Sequence, residues 1–275
     1  MYFLLACGTE APSPDSAGDS AQDTGALDSG DSAAPVDSGD SGQPPPFEGM
    51  HLGIPALGAP DGEAWSGWVA GAAATGGWLY VNVDEGPGAT KDNTWAAAIA
   101  GARAEGVVVV GYVGTESGTR DADDVERDIG RWAAWFDVDG VVFDVVGADC
   151  ATMPTWYAEQ VALADSKDPG GDAFVVLTGA GTACEGWAAV GDVLVVASGG
   201  ASALAAVSPP AWMEALPPQR FAAFVTAVSA DERAGSMQAA VDAGIGTVYV
   251  TDDVDPAPFD ALPTYWTAEI ESIAQ

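Results

Sequence analysis

Basic residues are the scarcest feature of this 275-residue sequence: 8 Lys and Arg stand against 41 Asp and Glu, a formal net charge of −33. A chain so short of cations lacks the basic face that displaces counterions from phosphate, which excludes a nucleic-acid partner. It also excludes docking on anionic lipid headgroups through a basic patch. Histidine occurs once, as His51, so neither a Ser-His-Asp hydrolase nor a histidine-rich zinc site can be assembled. No apolar run reaches the roughly 18 residues that a membrane-spanning helix needs. No Gly-x-Gly-x-x-Gly segment follows the first strand candidate, and neither a cofactor nor a metal is expected. What the chain has in quantity is apolar residues, 48% of the total, enough for a sizeable core. Most of its acids must face water unpaired, which suits an exported protein, a salty habitat, or a cationic or metal-bearing partner.

The chain opens Met1-Tyr2-Phe3-Leu4-Leu5-Ala6-Cys7. Leu4-Leu5-Ala6-Cys7 resembles a bacterial lipobox, whose cysteine is lipidated once the signal peptide is cut. Only six residues precede Cys7 and none is basic, so residues 1–7 read as the remnant of a lipoprotein signal peptide. Lipidation at Cys7 would anchor the chain without spanning the membrane, and an exported lipoprotein on the outer membrane or cell surface is expected. Residues 8–46 carry eight acids and no base, the rest being nearly all Ser, Gly, Ala, Pro, Gln and Thr, and end in Pro44-Pro45-Pro46. Such a composition cannot bury enough surface to offset ordering entropy, and it reads as a disordered, self-repelling tether.

The eight tether acids leave −25 of the −33 to residues 47–275. There, short Val-rich runs recur at 51–57, 78–83, 107–113, 140–146, 173–177, 193–197, 221–228 and 247–251. They are continuous rather than alternating, as strands buried on both faces are. Helix-like stretches separate them at 64–74, 94–105, 122–136, 154–165, 185–190, 201–206 and 230–243, and another closes the chain at 264–273. This alternation predicts an α/β fold, a (β/α)8 TIM barrel, with a doubly wound open sheet as the competitor.

Functional side chains of such a barrel sit at the C-terminal ends of its strands. The candidates there are Asn82 and Glu85 after strand 2, and Tyr112, Glu116 and Arg120 at and beyond the end of strand 3. Asp144 ends strand 4, and Asp252 and Asp253 follow strand 8. Acids beside aromatics favour sugar chemistry, in which carboxylates act as acid, base or nucleophile and rings stack on sugar faces. The plainer alternatives are a structural carboxylate at Asp144, solvated loop acids at Glu85 and Glu116, and a surface ion pair at Arg120. The Trp residues on the helix-like stretches read as outer-layer packing. His51 begins strand 1, at the end away from the functional face, and receives no role. Cys150 and Cys184 follow neighbouring strands on one face and, in an exported protein, are expected to pair, the alternative being two separate thiols.

At these residues the chain resembles the spherulin-4-like proteins, a glycoside-hydrolase-related barrel family. The resemblance is carried by Gly53-Ile54-Pro55, by Asn82 with Gly86-Pro87-Gly88, and by Gly111-Tyr112-Val113 with Thr115 and Arg120. It continues in Asp139-Gly140-Val141 with Phe143-Asp144, in Tyr249-Val250-Thr251-Asp252-Asp253, and in Leu262-Pro263 with Tyr265-Trp266. It implies a (β/α)8 barrel that acts on galactosamine polysaccharides. It also implies an Asp-Glu pair ending strand 4 and a Glu ending strand 6. Here Asp144 keeps the first, while Val145 and Ala197 stand at the two Glu positions. A histidine expected near the end of strand 7 aligns with Thr226, and an Asn-Pro-Gly on strand 5 has become Thr178-Gly179-Ala180.

Glycoside hydrolysis needs a proton donor for the leaving oxygen and a second group for the anomeric carbon or its water. Val145 and Ala197 can serve as neither. The expectation is therefore a tethered, monomeric barrel that binds an extracellular polysaccharide through Asp144, Tyr112, Asn82, Arg120, Asp252 and Asp253, with hydrolysis lost or altered. The alternative is an active endo-acting glycosidase in which Glu85 or Glu116 joins Asp144.

Overall fold

The computed structural model describes residues 47, 49–144, 150–182 and 184–274. The lipobox with Cys7, the tether and Val145 lie outside the described residues. Eight parallel strands close into a barrel in chain order: β1 His51–Ala56, β2 Trp78–Val81, β3 Val108–Gly114, β4 Gly140–Asp144, β5 Phe174–Leu177, β6 Val193–Gly200, β7 Phe221–Thr226 and β8 Thr247–Val250. Closure is made by His51 and Leu52 of β1 pairing with Thr247 and Val248 of β8. Around the strands lie α1 Glu63–Thr75, α2 Asn93–Ala104, α3 Ala122–Arg131, α4 Met153–Lys167, α5 Ala201–Ala205, α6 Ala211–Glu214, α7 Ala230–Asp242 and α8 Trp266–Ile273. No described helix is long and apolar enough to cross a membrane.

The Val-rich runs become strands because both of their faces are covered, one by the helices and one by the barrel's own filling. The filling is aromatic. The Trp78 ring lies between Phe174 of β5 and Phe224 of β7, at centroid distances of 6.3 and 6.2 Å. Gly53 of β1 makes room for it, since a Cβ there would meet the indole at 2.5 Å. Further toward the C-terminal face, Tyr80 of β2 and Tyr112 of β3 stack at 5.9 Å with their planes 15° apart. The other large rings pack outside the strands. Trp68 on α1, Trp187 on the 3-10 turn Glu185–Ala189 and Trp132 are fully buried. The Trp132 indole donates to the Tyr112 carbonyl at 2.7 Å, pinning the outer layer to β3.

Two departures from the sequence reading matter for the site. The stretch expected as one helix over 122–136 is α3 followed by a π-helical turn, Trp132–Phe136, which ends at Asp137 in a left-handed conformation (φ 51°). Strand β6 runs on to Gly200, with a register shift between Val195 and Ala197. At the opposite end of the barrel, Asp139 and Asp192 accept the backbone N–H of Val109 and Val175, each at 2.8 Å, tying neighbouring strands together away from the functional face.

Candidate functional site

Asp144 is the last residue of β4 and is half-buried at the C-terminal face. Two hydroxyls donate to its carboxylate. Thr178, immediately after β5, reaches Oδ1 at 2.7 Å, and the Tyr112 phenol is a second donor. Burial, followed by the nearby Asp144 charge, pushes the Tyr112 phenol well above its ordinary range, so it remains a proton donor at any working pH. Tyr80 beneath it is shifted the same way by burial and then by Asp144. The Asp144 main chain is held as firmly. Thr115 Oγ1 donates to its carbonyl at 2.7 Å and lies 2.6 Å from the Tyr157 hydroxyl on α4. Thr115 has a single proton, given to Asp144, so Tyr157 is the donor in the second contact. Thr115, Thr178 and Tyr157 were legible only as motif or apolar-run positions. What joins them is sequence separation of 29, 34 and 42 residues, which closes only when the barrel does.

The other candidates divide. Asn82 turns its side chain onto its own loop, accepting the Gly86 N–H at 2.7 Å. Val83 and Asp84 both donate to the Gly86 carbonyl, at 3.0 and 3.1 Å. Glu85 sits at the apex, exposed, in a left-handed conformation (φ 49°). Glu116 is also left-handed (φ 50°) within a 3-10 turn, where its carbonyl accepts the Thr119 hydroxyl at 2.7 Å. Arg120 is held at the end of β3, where its charge opposes the rise of the Tyr112 phenol. Its guanidinium donates to the Gly114 carbonyl at 2.8 Å and to Asp128 at 2.5 Å. Asp128, nearly buried on α3, also has Arg127 and Arg131 within 4.0 Å, and Arg131 donates to the Gly88 carbonyl at 3.0 Å. Helix α3 thus clasps the loop after β2 and the end of β3 together.

On the far side of the mouth, Asp252 accepts the Thr264 N–H at 3.0 Å and the Thr264 hydroxyl. Asp253 caps Thr251 through its N–H (3.0 Å), and burial, with Asp252 and Asp260 nearby, raises its carboxyl. Phe259 from the same loop packs on Phe224 and Tyr249, and its carbonyl accepts the Leu57 N–H at 3.0 Å. Phe259 covers the β7–β8 side, so Asp144 and Tyr112 face the part of the mouth above β2 to β5. Ala197, aligned with a family glutamate, pairs with Ala223, while Ser198 pairs with Phe224, the ring that meets Trp78 inside the barrel. Paired residues of a parallel sheet share a face, so the interior position at that level of β6 is Ser198.

Cys150 and Cys184 form a disulfide with Cα atoms 5.4 Å apart. Among the described residues no group of three or more His, Cys, Asp or Glu is placed to hold a metal ion.

Comparison with known proteins gives the same frame. No curated protein matches the sequence. Among solved structures, Aspergillus clavatus Sph3 in complex with GalNAc superposes with a TM-score of 0.71 at 18% identity, over 83% of this chain and 98% of that one. The Bacillus cereus spore cortex-lytic enzyme SleL follows at TM-score 0.50 and 11% identity, over 83% of this chain and 75% of that one. At these identities the likeness is one of fold. The profile of spherulation-specific family 4 matches residues 53–273, the whole barrel from β1 to α8, and the chain therefore belongs to that family.

Proposed function

We propose that the barrel binds an extracellular polysaccharide, one containing galactosamine, in the cleft around Asp144, and that it is held at the cell surface through Cys7 and the acidic tether. The observation that carries the reading is the fixed pair of Asp144 and Tyr112: a carboxylate oriented by two hydroxyl donors beside a half-buried aromatic ring, at the face where this fold does its chemistry. A carboxylate with settled direction accepts sugar hydroxyls or an ammonium group, and a ring alongside it packs on the apolar face of a sugar. The GalNAc complex of the fold neighbour Sph3 supports a sugar as the ligand. Val145 and Ala197 at the family's glutamate positions favour binding without the family's own hydrolytic pair. Asn82 and Arg120 serve the cleft by holding its walls, and Asp252 and Asp253 flank it.

The test is retention of the full chain on immobilised, partly deacetylated galactosamine polymer. Wild type is retained. Asp144→Asn weakens binding by about 10-fold or more, the equivalent of one charge-assisted hydrogen bond of about 1.5–3 kcal/mol. Failure of wild type to bind, or equal retention of the variant, would sink the reading.

A further inference from the structure

We propose that Glu269 is a proton-held latch in the seam where the barrel closes. With its proton on, the carboxyl keeps β1 and β8 joined and the loop over residues 251–265 seated at the mouth; losing the proton frees that loop. The latch acts on the wall of the mouth, whatever the cleft binds.

The seam is a short join. β1 and β8 pair over two residues each, His51 with Thr247 and Leu52 with Val248, whereas β7 and β8 pair over four. Above Leu52, Pro55 of β1 has no N–H to give to either neighbour. Thr251 donates its N–H to the Val225 carbonyl of β7 at 2.8 Å. Neighbouring N–H groups of a strand point to opposite edges, so Val250 turns its N–H to the β1 edge, beyond the last pair. There the Glu269 side chain of α8 accepts it at 3.2 Å. A carboxyl thus stands where a strand carbonyl would be. Its other oxygen is buried with no partner among the described residues.

Bonds that hold the loop lie beside this carboxyl. Trp68 of α1 donates to the Tyr249 hydroxyl at 3.1 Å, and that hydroxyl donates to the Ala261 carbonyl at 3.3 Å. The Tyr265 hydroxyl donates to the Val228 carbonyl at 2.9 Å, and the Tyr265 carbonyl accepts the Glu269 N–H at 3.0 Å. Further out, Phe259 packs over Phe224 and Tyr249, and Val254 is 60% exposed. The loop is bound at its base and open to solvent at its tip.

The charges around Glu269 leave its ionised form poorly supported. From α7, Arg233 is held on the Ser272 hydroxyl at 3.0 Å and over the Tyr265 ring, and forms no described ion pair with Glu269. The loop brings Asp252, which opposes ionisation of Glu269, and Asp253, whose charge acts on the Tyr249 and Tyr265 phenols. Those phenols are raised chiefly by burial and stay protonated. The one charged residue of α1, Glu63, is exposed at its start, and His51 lies at the far end of β1. Burial comes first among the causes that raise the Glu269 carboxyl to about 8 from its ordinary 4.5. A freed loop admits water and returns it toward the lower value. The seated state therefore holds a proton that the freed state releases. Between the two values each pH unit favours the freed state by about tenfold at most; below the lower and above the upper the balance does not move.

Hydrogen exchange of the full chain, followed peptide by peptide and corrected for intrinsic rates, tests this between pH 5 and 9. Protection over residues 251–265 is expected to fall by about tenfold per pH unit at most, then to level off near pH 8, while β3 and β4 keep theirs. In Glu269→Gln the loop's protection stays constant across the series. Arg233→Gln keeps a donor for Ser272 but removes the opposing charge, and moves the levelling-off to higher pH. Because Glu269 is intact in that variant, the latch is tested even where Glu269→Gln does not fold. Flat protection of the wild-type loop, an unchanged slope in Glu269→Gln, or a levelling-off that Arg233→Gln leaves in place overturns the latch. So does a parallel loss of protection in β3 and β4, which would mean that the whole barrel opens rather than the loop.

Discussion

Thr115 shows what a single buried hydroxyl does for the cleft. It is completely buried, receives the Tyr157 proton and gives its own to the Asp144 carbonyl, so helix α4, the end of β3 and the end of β4 meet at one oxygen. Thr115→Val keeps the shape and removes the relay, leaving a carbonyl and a phenol to find other partners in an interior where an unmade hydrogen bond costs about 1–3 kcal/mol. The expected outcome is a loss of about 2–4 kcal/mol in urea unfolding with unchanged m-value, and sugar retention weakened because Asp144 is no longer fixed in direction. A stability change under 0.5 kcal/mol would show that the relay is not held in solution. Residues of this kind escape a reading of the sequence. Asp144, Tyr112 and Glu85 stand out as strand-end acids and aromatics in a Val-rich frame. Thr115 and Tyr157 look like filler until the strands close. Arg120 stands out as a rare cation past a strand end, and its guanidinium is shared between the Gly114 carbonyl of β3 and Asp128 on the next helix.

At the level of elements, the strand-helix beat was legible because each strand is apolar on both faces, and the barrel followed from the repeat. The end of β6 was not. Ser198-Gly199-Gly200 has the composition of a loop, yet it pairs with Phe224, Val225 and Thr226 because β7 offers a free edge there. Helix α8 carries the least expected group. Glu269 is completely buried, with one oxygen accepting the Val250 N–H of β8 at 3.2 Å and the other without a partner among the described residues. Burial pushes its carboxyl up to about 8, with Asp252 adding to the rise and the Val250 N–H and Arg233 of α7 opposing it. The folded state therefore holds a proton that the unfolded chain releases near pH 4.5. Between that value and about 8 the unfolded state binds fewer protons, so this group's contribution to stability is full below the lower value and declines until pH passes the upper one. Glu269→Gln, which cannot ionise, should gain on wild type steadily across that window and level off above it, by an amount bounded at roughly 5 kcal/mol. Urea unfolding at pH 4.5, 6, 7.5 and 9 measures the difference. A constant offset across the series would mean that Glu269 is ionised in the fold.

For the molecule as a whole, charge is the dominant fact. Residues 47–275 carry −25 of the chain's −33, and the eight bases cannot pair with more than a fraction of the acids. Several of those bases are grouped: Arg120, Arg127 and Arg131 all gather at Asp128 on α3. The rest of the surface is left to repel itself, a stress that grows as the chain compacts. Screening acts on exposed charges separated by more than a Debye length, about 10 Å at 0.1 M and about 3 Å at 1 M, and hardly touches a pair as enclosed as Arg120 and Asp128. Salt should therefore relieve the repulsion and leave the clasp intact. The barrel's melting midpoint is expected to climb by several degrees between 20 mM and 500 mM NaCl, equally in KCl, because the effect is one of ionic strength rather than of a bound ion. Sugar retention should respond in the opposite sense when the ligand is cationic. The same acidic field that strains the fold draws a deacetylated galactosamine polymer toward Asp144, and 500 mM salt weakens that attraction, while a fully acetylated, neutral polymer binds alike at both concentrations. Scanning calorimetry and retention on the two polymers, run over one salt series, separate these effects. A midpoint that falls with salt would mean that the acids are organised into favourable networks rather than left in mutual repulsion. Salt-independent binding of the cationic polymer would mean that the cleft selects its ligand by contacts alone.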